Sequence, residues 1–245
     1  LKPSAKDLEH GLELHANSLV IESYGFAPRS AINGDRIRAA IEAGASDVEI
    51  QDLLEDIPMT RHAEDPEACA EFIDAWHESG VTCVLQNAGQ EGQSITRLMK
   101  RLARFIYVTD MLPDFVNKAA SPDDIVKAKR LGRHCFYLMC NGVPLPEDWN
   151  SVEEELRYIR VFFELGCRMM HLTYNRRNMV ADGCGEPGNA GLSDFGRCVV
   201  AEMNRVGVMV DVAHSSVQTG FDAARCSKAP VVASHSCCAA LNEIG

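Results

Sequence analysis

The 245-residue sequence has no cysteine pair at CxxC spacing, no low-complexity tract, no apolar run that approaches a membrane span, and no excess of basic charge. Each absence removes a class of protein. Without an apolar stretch of about 20 residues there is no helical membrane span. Against 35 acidic residues stand 24 basic ones, a formal charge of −11, which disfavours nucleic acid and anionic membrane surfaces as partners. The ten cysteines are scattered from Cys69 to Cys238, most of them inside apolar runs where cysteine behaves as a small hydrophobe. They read as reduced thiols in a cytoplasm-like compartment, not as a disulfide framework. No glycine-rich phosphate loop follows the first strand, which argues against an open dinucleotide-binding sheet. The chain starts at Leu1 and not at methionine, so a missing signal peptide carries no weight.

What is present centres on 207–235. Two β-branched runs, Val208 to Ala213 and Pro230 to Ser234, each end in a histidine, His214 and His235, which are 21 residues apart. Short apolar runs separated by a helical segment are what buried parallel strands look like. Two imidazoles at the C-terminal ends of neighbouring strands suggest a metal site or an acid/base pair, because that end of an α/β barrel is where function is built.

The rest of the chain alternates in the same way. The run SLVIE within Leu12 to Glu22 reads as the first strand, Val81 to Leu85 as the second, Cys135 to Cys140 as the third and Cys167 to Tyr174 as the fourth. Helices are expected over Asn33 to Ala45, Pro66 to Ser79, and after the capping residues Ser121, Ser151 and Ser193. The segment from Ser94 to Asn117 reads as helical, with a break near Pro113, and acidic Asp47 to Asp65 has no clear assignment. Six strands alternating with helices imply a parallel sheet under helical cover. The expected fold is α/β, a TIM-type (β/α) barrel in one domain over 1–245, with six strand-helix units visible and the closing ones lacking at the C-terminus. The glycine-rich connection from Tyr174 to Leu192 is long for a strand-to-helix link and reads as a solvated, lid-like loop.

The run GLSDFGRCVVAEMNRVGVMVDVAHSS, followed by APVVASHS and preceded by HLTYN, resembles the renal (membrane) dipeptidase family of metallopeptidases. The resemblance extends from about His15 to the C-terminus and is strongest over Cys167 to Asn242. It implies an α/β barrel carrying a two-zinc centre that hydrolyses dipeptides and amide-like analogues. In that family the ligands are a His-x-Asp pair after the first strand, a bridging glutamate after the third, and one histidine each after the fifth and sixth. The last two map onto His214 and His235. In place of the His-x-Asp pair stand Tyr24, Gly25 and Phe26, in place of the glutamate Cys140, and in place of a substrate-binding histidine after the fourth strand Tyr174.

A two-ion centre needs a carboxylate between its cations, and Tyr24 and Phe26 cannot supply one. The expectation is therefore one zinc held by His214, His235 and Cys140, with an open fourth position. Tyr174, able to donate to a carbonyl oxygen, and Tyr24, on an apolar floor with Phe26, are the expected substrate-binding residues. His171 is expected to point toward the helices in a structural role. Asp182, Cys184 and Glu186 of the long loop are the reserve ligands. Two functions follow: a dipeptidase-like hydrolase that cleaves a dipeptide or small amide with a metal-activated water, or a catalytically silent barrel that binds a small ligand or protein partner. Exposed apolar edges of an incomplete barrel would favour pairing into a homodimer.

Overall fold

The computed structural model describes residues 2–89, 91–92, 94–238 and 240–241. It comprises two compact units, Leu1–Leu85 with Ala103–Phe136, and Gln86–Leu102 with Tyr137–Gly245. Strands β2 (Cys83–Asn87) and β4 (His134–Cys140), and helix α5 (Ile95–Met111), pass from one unit into the other.

The first unit opens with α1 (Ala5–Asn17), whose first turn is capped by Ser4 Oγ accepting from the Asp7 N–H. This helix takes up Leu12 to Asn17, so the expected first strand is confined to β1 (Ile21–Gly25). Helix α2 (Gly34–Glu42) follows, then α3 (Asp47–Thr60). The acidic stretch without an assignment thus becomes a helix, nucleated by a capping box in which Ser46 and Glu49 exchange hydrogen bonds. Helix α4 (Pro66–Ser79) starts on Asp65 and stops at Gly80, which adopts φ +63°. Its apolar face drives Phe72 and Trp76 into a core with Ile57, Phe105 and Phe136. His62 is buried in the same core, stacked on Phe72 at 4.1 Å, with its Nδ1 3.2 Å from Ser30 Oγ. Burial pushes its imidazole down to about 4. A short strand, β3 (Val116–Lys118), lies where the sequence pattern reads as helix, and pairs with β4 ahead of α6 (Pro122–Arg130). Strands in this unit run in the order β1-β2-β4, with β3 also on β4.

In the second unit the strand order is β4-β5-β6-β7, with β5 (Met169–His171), β6 (Met209–Asp211) and β7 (Val231–Val232). The β4–β5, β5–β6 and β6–β7 pairs are all parallel. Every residue of β4 is buried, as expected of a central parallel strand covered on both faces. Helices α7 (Val152–Glu164), α8 (Asp194–Val206) and α9 (Val217–Cys226) form the connections, so each parallel step is a strand-helix-strand crossover. Ile159 and Phe162 of α7, Val199 and Met203 of α8, and Met139, Met169 and Val210 of the strands are fully buried. Among the described residues no helix is long and apolar enough to cross a membrane.

Candidate metal centre

The parallel register of the second unit decides where the polar residues meet. His171, the last residue of β5, stands opposite Asp211, the last residue of β6, and Asp211 stands opposite Val232 of β7. His214 and His235 follow three residues beyond the ends of β6 and β7. Four groups able to bind a cation therefore gather at the C-terminal ends of three adjacent strands, the end on which barrels carry their chemistry.

Their mutual geometry is tight. His214 Nε2 lies 2.9 Å from His235 Nε2, and His171 Nε2 lies 2.8 Å from Asp211 Oδ2. The His171 ring stacks against His235 at 5.3 Å and meets His214 at 5.7 Å. One donor atom each from His171, Asp211 and His235 falls within 4.8 Å of the others. His171 and Asp211 are wholly buried, whereas His214 is half-buried and His235 exposed.

Each imidazole is oriented through its Nδ1. That of His171 meets Asn141 Oδ1, and that of His214 lies 2.8 Å from Asn175 Oδ1. The third, on His235, lies 2.8 Å from Ser234 Oγ, a hydroxyl that donates to Asp211 Oδ2 at 2.5 Å and so accepts from the imidazole. With protons held on Nδ1 of His214 and His235, their Nε2 lone pairs face one another, an arrangement that a shared proton or a bound cation would relieve. Oxygen partners on the far ring nitrogen are the usual support of metal-ligating histidines. The donor set of His171, Asp211 and His235, two imidazoles and one carboxylate with His214 adjoining through His235, therefore fits a divalent metal ion.

The electrostatics agree with this arrangement. Burial, then the neighbouring His235 and His171, push His214 down to about 4, so its ring is neutral at pH 7. Burial and His171 lower His235 as well. Burial alone would raise the Asp211 carboxyl, but hydrogen bonds from His171, Ser234 and the Ala213 N–H outweigh it and keep the group ionised. His214 also adopts φ +60°, a left-handed conformation uncommon for a residue with a β-carbon and concentrated at functional sites.

The remaining expected residues are placed as follows. Tyr174, 36% exposed, stacks its ring on His214 at 4.0 Å and so forms one wall of the cluster. Cys140 ends β4 fully buried, and its thiol donates to Cys167 Sγ at 3.2 Å. The contact with Cys167, and then burial, raise that thiol well above its ordinary range, so it is neutral. Tyr24 belongs to the first unit, on β1, where its ring makes an edge contact with Phe26 at 5.9 Å. In the long loop Asp182 is held by Arg177 and by the Ala190 N–H, Cys184 Sγ donates to Asn175 Oδ1, and Glu186 accepts from the Arg177 N–H.

Two expectations are corrected here. His171 does not face the helices but joins the cluster, because β5 ends at His171 and strict two-residue alternation does not continue to Tyr174. The connection from Tyr174 to Leu192 is largely solvent-exposed, as expected, but it is not lid-like. It is stitched by the bridges Ala181 to Leu192 and Gly183 to Ser215, by the Arg177–Asp182 ion pair, and by Asn178, which bonds Leu172 O and the Val180 and Ala181 N–H groups. Glu91, following β2, accepts from the Tyr174 N–H and from Asn178 Nδ2, and burial raises its carboxyl despite those bonds. A cavity of about 460 Å³ adjoins the cluster through Asn141, lined by Glu91, Ser94, Cys140, Val143 and Pro146 among others.

Comparison with known proteins identifies the lineage. A profile of the membrane dipeptidase family (peptidase family M19) matches residues 52–245. The chain belongs to that family. Dipeptidase verJ of Clonostachys rogersoniana is 30% identical over 153 residues, 62% of this chain and 38% of that protein. The chain thus spans well under half the length of this curated relative. An amidohydrolase from Pseudomonas aeruginosa superposes with a TM-score of 0.66 at 26% identity, over 95% of this chain and 57% of that one. A metallo peptidase from Rhodobacter sphaeroides, liganded with a phosphinate mimic of the dipeptide L-Ala-D-Ala, gives a TM-score of 0.56 at 17% identity, over 72% of this chain and 62% of that one. The fold is accordingly α/β of the TIM-type (β/α)-barrel class, as the strand-helix alternation of the sequence implies.

Proposed function

We propose that this M19 family member is a dipeptidase-like metallohydrolase that cleaves a dipeptide or small amide, using one zinc ion held at the strand-end cluster that contains His214 and His235. The observation that carries this reading is the convergence of the two Nε2 atoms at 2.9 Å, each ring oriented by an oxygen on its Nδ1. The dipeptide mimic bound by the Rhodobacter sphaeroides peptidase supports the substrate class. Taken as one catalytic domain over 1–245, the chain offers the cavity beside Asn141 as the place for that substrate. When bound, the ion supplies Lewis-acid activation of water and of the scissile carbonyl.

The chain's own residues do the rest. Neutral His214 holds its Nδ1 proton on Asn175 and so keeps Nε2 directed into the cluster. Tyr174 walls the cluster by stacking on His214 and offers its hydroxyl to a substrate oxygen. Glu91 fixes the Tyr174 backbone by accepting from its N–H, and holds Asn178 beside it.

A second reading, a silent barrel that binds a small ligand or a partner protein, is favoured by Tyr24, Gly25 and Phe26 where the family carries His-x-Asp. A homodimer is compatible with either. The test is a dipeptide panel assayed with and without added zinc on the intact gene product. Zinc-dependent release of amino acids is the expected result. A zinc-loaded protein without turnover refutes the hydrolase and leaves the binding protein.

A further inference from the structure

The resemblance leaves the ion with two histidines and no carboxylate, since the cysteine standing at the glutamate position has its sulfur on Cys167. A divalent cation held only by neutral imidazoles in a partly dry site keeps its full charge, which is costly to bury. The structure supplies a remedy from residues that the family pattern does not use for this purpose. Asp211 is buried and ends β6 beside His171, whose Nε2 points at its Oδ2 from 2.8 Å. Both lie within reach of His235, all three donor atoms being within 4.8 Å of one another, and His235 in turn faces His214.

We propose that His171 and Asp211 complete the site with His214 and His235, so that one ion is bound by three imidazoles and one carboxylate, and Cys140 takes no part. The proposal rests on the metal-dependent reading above and fixes its ligand set. Three structural facts support it beyond proximity. Asn141 Oδ1 orients His171 as Asn175 and Ser234 orient the other two rings, so all three imidazoles have the same kind of outer support. Asp211 Oδ1 accepts from the Ala213 and Ser234 N–H groups, which fixes the carboxylate while Oδ2 faces the histidines. Finally, the parallel register that places His171 opposite Asp211 makes the pair a property of the sheet, not of a mobile side chain. Four protein donors would hold the ion, and zinc would still accept a water beside them.

The experiment is X-ray absorption at the zinc edge on the full chain after loading and exhaustive dialysis, with metal content measured alongside. Three imidazoles, light-atom ligands only and one equivalent of zinc are expected. His171→Gln should show two imidazoles and bind zinc at least about tenfold more weakly, Asp211→Asn should also lose about tenfold, and Cys140→Ser should match the parent. Circular dichroism melts check that each variant is folded. The spectrum of the parent alone decides the matter if Asp211→Asn fails to fold. Zinc bound with two imidazoles, or with a sulfur at about 2.3 Å, overturns the ligand set while leaving the metal-dependent reading intact. A protein that retains no zinc overturns both.

Discussion

His62 provides a quantitative test of the first unit. It is stacked on Phe72, its Nδ1 faces Ser30 Oγ, and burial holds it at about 4, below the 6.5 of an exposed histidine. The native state therefore takes up this proton less readily than the unfolded chain. The stability that depends on a neutral His62 is complete above about pH 6.5 and is lost as the pH falls toward about 4. At about pH 4.5 an ordinary histidine is almost fully charged while His62 is still mostly neutral. At about 1.36 kcal/mol per pH unit for one proton, the native state forfeits about 2.5 kcal/mol relative to about pH 7. The sequence has two tryptophans, and Trp76 makes an edge contact with Phe72 at 6.2 Å. In a Trp149→Phe background its fluorescence reports on this core alone. Denaturant titrations between about pH 7 and about pH 4.5 should show the loss, and His62→Gln should remove about 2 kcal/mol of it, whatever its own effect at neutral pH. Carboxylates contribute mainly below this window, and the remaining histidines contribute equally to both proteins. An acid limb equally steep in His62→Gln would refute the reasoning.

Other substitutions test the packing and the site. A β-carbon on Gly183 would meet the Asn175 backbone at 2.4 Å and Tyr174 O at 2.5 Å, so Gly183→Ala should displace Asn175 from His214. We expect a fall in melting temperature together with weaker zinc retention, and an unchanged zinc affinity would refute the link. Arg104, 8% exposed, bonds Asp56 and Glu55 at 2.9 and 3.1 Å and the Asp52 carbonyl at 3.3 Å; Arg104→Ala should cost about 3 kcal/mol in denaturant unfolding, because these charge-assisted bonds and the packing of the buried side chain are lost together. Phe162→Ala removes a fully buried ring of α7 and should cost about 3–5 kcal/mol, measured the same way.

Particular residues show how far the fold and the site could be read in advance. The strands ending at His214 and His235 were legible because β-branched runs of that length bounded by a helix have few other interpretations. Ser46 with Glu49 was an equally local signal, but it was hidden by the acidity of the segment it opens. The three residues of β3 carry too little pattern to stand out from the helical stretch beside them, and only pairing with His134 and its neighbours makes them a strand. Asp211 sits inside VMVDVAH, where a lone acid in an apolar run reads as an interruption. His171 was not legible as a strand-end residue, because the apolar pattern carries the fourth strand on to Tyr174 and alternation then turns His171 toward the helices. Nor was its pairing with Asp211, because that match is a register, and register is fixed by the whole sheet and not by either strand.

The stitching of the connection from Tyr174 to Leu192 has a kinetic corollary. A rim already fixed by Arg177, Asp182 and Asn178 has little conformational freedom left to surrender when a small molecule arrives. If the chain is the hydrolase proposed above, capture would need no folding-over of a flap, and discrimination among substrates would fall to the shape of a rigid mouth.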